Sequence, residues 1–219
     1  MAFSSLEPVT GAAATRESIS SRERILDAAE ALFAENGLAG TAVRDIARDV
    51  GLTAASLYNH FSGKQELYEA VLERGVRPLI EMMQEVARRD EPSEGRAALI
   101  EEVMRHLGSR PHLPRLVHHE VISGGSYLAK LARTWLRPLM TTGVREMKRQ
   151  EEPNWSEEEY PLVITAWLNL IFGHFAMAPM LSVVFDTDPL SADSLERQTR
   201  FLQKLARIMS SSHPAPLPH

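Results

Sequence analysis

Arg44, Ser56, Tyr58 and Asn59 carry the chemistry needed to read a nucleic-acid duplex. An arginine fork meets guanine O6 and N7 in two parallel hydrogen bonds, worth about 1 to 3 kcal/mol against a wrong base. Asn59 can do the same for adenine. Ala54 and Ala55 sit among these groups and offer only methyls, whose partner on a base is the methyl of thymine. A surface of this composition reads few bases through polar contacts, so the shape of the duplex carries part of the recognition.

The elements that must position these residues are legible from spacing. Val43, Ile46, Ala47 and Val50 recur at i, i+3, i+4 and i+7, which places one apolar stripe against a core and turns Arg44, Asp45, Arg48 and Asp49 outward. Gly51 ends that helix, because glycine accepts the left-handed backbone of a helix C-terminus, and Thr53 can cap the next one. In the second helix Leu57 and Phe61 point inward while Ala55 and Asn59 point outward, flanked by Ser56 and Tyr58. Ser62-Gly63-Lys64-Gln65 has the S-x-x-Q form of a capping box, so a further helix starts at once, and its amides and Lys64 could meet a phosphate. Upstream, Ser20 to Glu23 is another capping box. Ile25, Leu26, Ala29, Leu32 and Phe33 follow at helical spacing until Asn36-Gly37. The pattern is a three-helix headpiece containing a helix-turn-helix.

The segment from about Ser21 to Glu69 resembles the DNA-binding domain of the TetR/AcrR family of bacterial regulators. ILDAAEALFAENG, TAVRDIARDVGLTAASLYNHF and the K-x-x-L of Lys64 to Leu67 match that family's pattern in order and spacing. The resemblance implies that Tyr58, His60 and Lys64 contact backbone phosphates. It also implies that Arg44 and the second helix, with Thr53, Ala54, Ala55, Ser56 and Asn59, approach base edges. Ala54 and Ala55 stand where relatives often carry hydrogen-bonding side chains. Ala42 replaces a frequent hydroxyl, which leaves Thr41 as helix cap or phosphate ligand. The family further implies a homodimer through the last two helices, an inverted-repeat operator on double-stranded DNA, and a helical body that encloses a small-molecule effector.

Charge sets a limit on this reading. From Arg16 to Lys64 six lysines and arginines face seven aspartates and glutamates, and the 219-residue chain has a formal net charge of -5. DNA affinity must then come from segregated charge, with Glu30 and Glu35 turned away from the duplex, and its salt dependence should be modest. The rival reading follows from the same facts: a helical small-molecule binding or interaction module whose headpiece no longer binds DNA. The chain has no cysteine, which excludes disulfides, thiolate zinc sites and cysteine nucleophiles and fits a cytoplasmic location. It has no H-E-x-x-H, no G-x-S-x-G and no Gly-rich phosphate loop, so no enzymatic activity and no cofactor are expected. Glu102 with His106 is read as a surface hydrogen-bonding pair and not as a metal chelate, and His118-His119-Glu120 alone is no catalytic constellation.

The expected organisation is all-α: a tail over 1–18, the DNA-binding domain over 19–66, an effector-binding and dimerisation domain over 67–210, and a second tail over 211–219. Helices are expected at about 64–89, 93–108, 112–122, 126–150, 156–185 and 191–209, with a kink at Pro78. Pro161 to Phe185 holds no Asp, Glu, Lys or Arg, long enough for a membrane span. Its acidic flanks, and Asn169, His174 and Pro179 within it, favour a helix buried on two sides. In the last helix Leu195, Gln198, Phe201, Leu202, Leu205 and Met209 form one stripe toward a dimer partner. Met82, Met83, Met104, Trp135, Met140, Trp167, Phe172 and Phe175 are candidates to line an effector pocket, with Tyr127 or His174 as its polar handle.

Overall fold

The computed structural model describes residues 20–88, 92–137, 140–141 and 155–210. The two expected tails, the breaks at 90–91 and 151–154 and most of the second half of the helix expected over 126–150 lie outside the described residues. The elements are α1 (Ser21–Gly40), α2 (Val43–Asp49), α3 (Ala54–Tyr58), α4 (Lys64–Arg88), α5 (Pro92–Gly108), α6 (His112–Ile122), α7 (Ser126–Leu131), α8 (Tyr160–Ala176), α9 (Ala178–Phe185) and α10 (Ala192–Ser210). A π-helical turn over Ala132–Leu136 continues α7. Among the described residues there is no strand.

Two apolar clusters organise these helices. The first joins Ile25, Leu26, Ala29 and Phe33 of α1, Ile46 and Ala47 of α2, Leu57 of α3, Phe61, and Leu67, Tyr68, Val71 and Leu72 of α4 to Leu116 of α6. The second joins Leu79 of α4, Ile100, Val103, Met104 and Leu107 of α5, Leu113 of α6, Phe175 of α8, and Leu202 and Ala206 of α10. The change from one cluster to the other falls inside α4, between Leu72 and Leu79. One continuous helix thus contributes to both cores, and α6 is bound to both. Gly75 permits the close crossing of α4 and α6, since a Cβ there would stand 2.3 Å from Leu113 Cδ1.

Buried polar groups tie the same elements together. Tyr68 donates to Glu120 Oε2 at 3.0 Å, and Glu120 Oε1 accepts from the Tyr127 amide at 2.7 Å, which closes the start of α7. Burial, and then the bond to the Glu120 carboxylate, push the Tyr68 hydroxyl well above the usual phenol range. The Tyr68 ring also meets Phe33 and Tyr127 edge-on, with centroids 5.0 and 5.3 Å apart.

One expectation is corrected here. The segment expected as one helix over 156–185 is two, α8 and α9, bent by 65° about Met177. Among the described residues no single helix is long and apolar enough to cross a membrane. Within the single chain one side of this stretch is covered: Tyr160, Phe175 and Ala178 are buried, whereas Leu162, Leu168, Met180, Val183, Val184 and Phe185 are exposed. The α10 stripe divides likewise, with Leu202 buried and Phe201 exposed.

Tyr68→Phe keeps the ring contacts and removes the donor to Glu120 Oε2. It is expected to lower the unfolding free energy by about 1 to 3 kcal/mol, read from the urea denaturation midpoint.

Candidate nucleic-acid interface

The turn between α2 and α3 is built as the sequence implies. Gly51 has φ 71°, and Leu52 donates to the Ala47 carbonyl at 2.8 Å. Thr53 caps α3 by accepting from the Ser56 amide at 3.1 Å, and its hydroxyl meets that of Ser56 at 2.9 Å. Leu57 and Phe61 are buried at 0% and 2% exposure. Their burial turns Ala55, Tyr58, Asn59 and His60 outward, and all four are exposed. Tyr58 is 52% exposed, so it is a surface aromatic and not part of the core. Arg44, on the outer face of α2, is exposed and has no hydrogen-bond or ion-pair partner among the described residues. A depression of about 500 Å³ runs between these helices, lined by Ala39 to Arg44, Ala54, Tyr58 and Lys64.

Thr41 and Lys64 are committed to the framework. Thr41 is 4% exposed and its hydroxyl lies 3.1 Å from the Leu32 carbonyl and 2.8 Å from that of Gly37. It therefore closes the end of α1, while the residue before α2, Ala42, supplies no side-chain cap. Gly37, at φ 68° and ψ 176°, interrupts α1 where Asn36-Gly37 led a break to be expected. Lys64 Nζ donates to the carbonyls of Leu38 at 2.8 Å and Thr41 at 3.0 Å. The capping box at Ser62 is also corrected. The Ser62 amide donates to Glu66 Oε2 at 2.7 Å, so the partner is one residue beyond Gln65, and bonds from Ser62 hold the Glu66 carboxyl below its ordinary range.

Three charged residues with structural roles were missed in the sequence. Arg74 on α4 binds Glu23, Asp27 and Glu30 of α1 at 3.0, 2.8 and 2.8 Å, and Arg110, in the turn before α6, reaches Glu30 at 3.0 Å. Glu30 is 5% exposed, buried toward α4 and not merely turned from a duplex. Burial opposes the charge on Arg74, but the hydrogen bonds it donates to Glu30, Glu23 and Asp27 outweigh it and raise its pKa. The one signal available was position: Glu30 follows Ala29 on the inner side of an apolar helix face.

The candidate effector residues do not form one group. Met104 and Phe175 are in the second core, with Met82, Trp167 and Phe172 packed against it. Tyr127 packs instead on the first core. His174 Nε2 lies 3.0 Å from the Pro189 carbonyl and lines a concavity of about 380 Å³ with Leu181, Phe185, Arg197, Gln198 and Phe201. Met83 and Met140 are half-buried outside both clusters, and the side chain of Trp135 lies outside the described residues. Among the described residues no three His, Asp or Glu side chains are grouped to hold a metal ion, and His106 faces the Gly75 carbonyl at 2.9 Å.

An all-helical chain with a capped helix-turn-helix at its N-terminal end defines a helix-turn-helix regulator. Residues 25–71 match the model for bacterial regulatory proteins of the tetR family, so the chain carries a DNA-binding domain of the TetR type. The HTH-type transcriptional repressor KstR2 of Mycobacterium tuberculosis is 47% identical over 53 residues, 24% of this chain and 26% of that protein. The repressor BepR of Brucella suis is 35% identical over 77 residues, 35% of this chain and 37% of that protein. The chain thus matches about a quarter to a third of the length of these curated relatives. Over most of its length it resembles solved structures. A protein of Streptomyces coelicolor described as a candidate transcriptional regulator is 25% identical, with a TM-score of 0.59, covering 85% of this chain and 98% of that one. SmeT, the repressor of a multidrug efflux pump in Stenotrophomonas maltophilia, shares the fold at 22% identity and a TM-score of 0.60, covering 91% and 98%.

Thr53→Ala removes the α3 cap. The expected cost is about 0.5 to 2 kcal/mol of stability, read as a lower thermal midpoint in circular dichroism.

Proposed function

We propose that this chain is a homodimeric transcriptional repressor that binds a pseudopalindromic operator and leaves it when a small-molecule effector binds the helical body. The observation that carries the reading is the one-sided exposure of Arg44, Ala55, Tyr58, Asn59 and His60 beside a buried Leu57 and Phe61. Core packing fixes which face of α3 is presented, so the presented face is available to a major groove. Arg44 is placed to read a base edge, Asn59 a second one, and Tyr58 and His60 to hold phosphates. Ser56 keeps its hydroxyl on Thr53 and supports the helix first.

The dimer reading is supported by the exposed apolar face of the last helices. Leu162, Leu168, Met180, Val183, Val184 and Phe185 stand in solvent together with Phe201 and Ile208 of α10. Apolar exposure on this scale marks an interaction surface. A two-fold interface would place two headpieces on inverted half-sites. The effector reading is supported by the mixed aromatic and methionine lining of the second core, at Met104, Trp167, Phe172 and Phe175. SmeT has been solved as a complex with triclosan. Release then requires about 1 to 3 kcal/mol of differential affinity between the DNA-bound and effector-bound poses.

Selection from random duplexes is expected to enrich an inverted repeat, and the absence of any enriched sequence at low salt would refute DNA recognition. Arg44→Ala should lower operator affinity and relax one base position by about 1 to 3 kcal/mol. Val183→Glu, at a side chain 83% exposed in the protomer, is expected to leave a folded monomer in sedimentation analysis. A dimer that survives this change would move the interface elsewhere.

A further inference from the structure

Cations on a DNA-binding headpiece are ordinarily assigned to phosphates, yet most of those described here face protein. Arg22 lies over the Phe61 ring, 5.0 Å from its centroid. Arg48 pairs with Asp45 at 3.0 Å. Arg24 donates to the Val50 carbonyl at 2.7 Å, and Lys64 to the carbonyls of Leu38 and Thr41.

The two residues that bind carbonyls occupy related places. A helix ends in carbonyls without intrahelical partners, and these carry partial negative charge that a cation neutralises. Gly37 interrupts α1, and Lys64, the first residue of α4, holds the oxygens on either side of the corner that leads into α2. Val50 ends α2, and Arg24, from the first turn of α1, holds its oxygen. Helix α2 is therefore bracketed at both ends by a cation from a neighbouring helix. Its end passes through Gly51 and Leu52 directly into α3, so these two clamps add to core packing in setting the pose of the reading helix. An ammonium has three hydrogens, and two of those on Lys64 are committed to carbonyls.

We propose that Lys64 and Arg24 are positioning residues for DNA recognition, which fix α2 and through it α3, and are not the phosphate ligands that their charge suggests. This rests on the DNA-binding reading above. It departs from the phosphate role that the family resemblance assigns to Lys64.

The salt dependence of binding separates the two roles. Each phosphate contact contributes about 0.9 to the slope of log K against log salt, so losing one from both headpieces of a dimer flattens it by about 1.8. The intact protein, Lys64→Met, Lys64→Gln and Arg24→Met are titrated against the selected duplex across a salt series. Lys64→Met and Arg24→Met are expected to weaken binding about tenfold or more at every salt concentration, the loss of a charged hydrogen bond, with the slope unchanged. Lys64→Gln, whose amide can still donate to one carbonyl without a charge, is expected to recover part of that loss. A slope flattened by about 1.8 in the Lys64 or Arg24 variants, or an unchanged affinity, overturns the proposal. If Lys64→Met unfolds, Lys64→Gln and Arg24→Met decide the matter by the same criteria. Failure of the unmodified protein to bind any duplex overturns the DNA-binding reading itself and this inference with it, whereas a changed slope overturns the positioning role and leaves DNA binding standing.

Discussion

Glu30 is a carboxylate on the inner side of α1, and a buried charge must be paired or it costs several kcal/mol. It is met by Arg74 from the middle of α4 and by Arg110 from the turn before α6. Arg74 in turn holds Glu23 and Asp27, so one guanidinium fixes the α1 face along two turns. The three elements cannot shift independently without leaving a charge unpaired at low exposure. Hydrophobic contact brings α1, α4 and α6 together, but it is non-directional. The ion pairs and the Tyr68–Glu120 hydrogen bond select one register among the many that burial alone would tolerate. Any signal from the body to the headpiece has to act through this junction, because α4 and α6 are the elements shared by both cores.

The headpiece repeats the same economy with backbone acceptors. Capping by Thr53, the hydroxyl of Thr41 and the cations at both ends of α2 leave the outer face with little charge of its own. Arg44, Tyr58, Asn59 and His60 remain exposed beside Ala55. A surface with so few polar groups depends for specificity on where it is placed, which makes the rigidity behind it as important as the residues on it. Half-site spacing would then be a large part of what such a protein reads.

The apolar stretch from Pro161 to Phe185 shows how composition can mislead in two directions. Its length and lack of charge suit a membrane, and its acidic flanks and polar interruptions suit a buried helix. In the folded chain it is not one helix, because a 65° bend about Met177 separates α8, which keeps Phe175 in the second core, from α9, whose Met180, Val183, Val184 and Phe185 are exposed. Leu162, Leu168, Met180, Val183, Val184 and Phe185 consequently remain uncovered by the protomer. A second chain is the cover that the family likeness suggests.

The sequence by itself determined the helices of the headpiece, the glycine turn at Gly51, the cap at Thr53 and the inward sense of Leu57 and Phe61. These depend on neighbours three or four residues apart, and periodicity and capping record such separations directly. The shift of the Ser62 cap from Gln65 to Glu66 marks the limit of that resolution, since both lie within reach of one helix start. Tertiary structure decided the partners of Arg24, Lys64, Arg74 and Arg110, and the change of core inside α4. Those contacts join residues 23 to 80 positions apart, and a charged side chain looks the same in sequence whether it will meet a phosphate, a carboxylate or a carbonyl. Only the packing of the helices, which sets what stands opposite each charge, distinguishes a ligand of DNA from a brace of the fold.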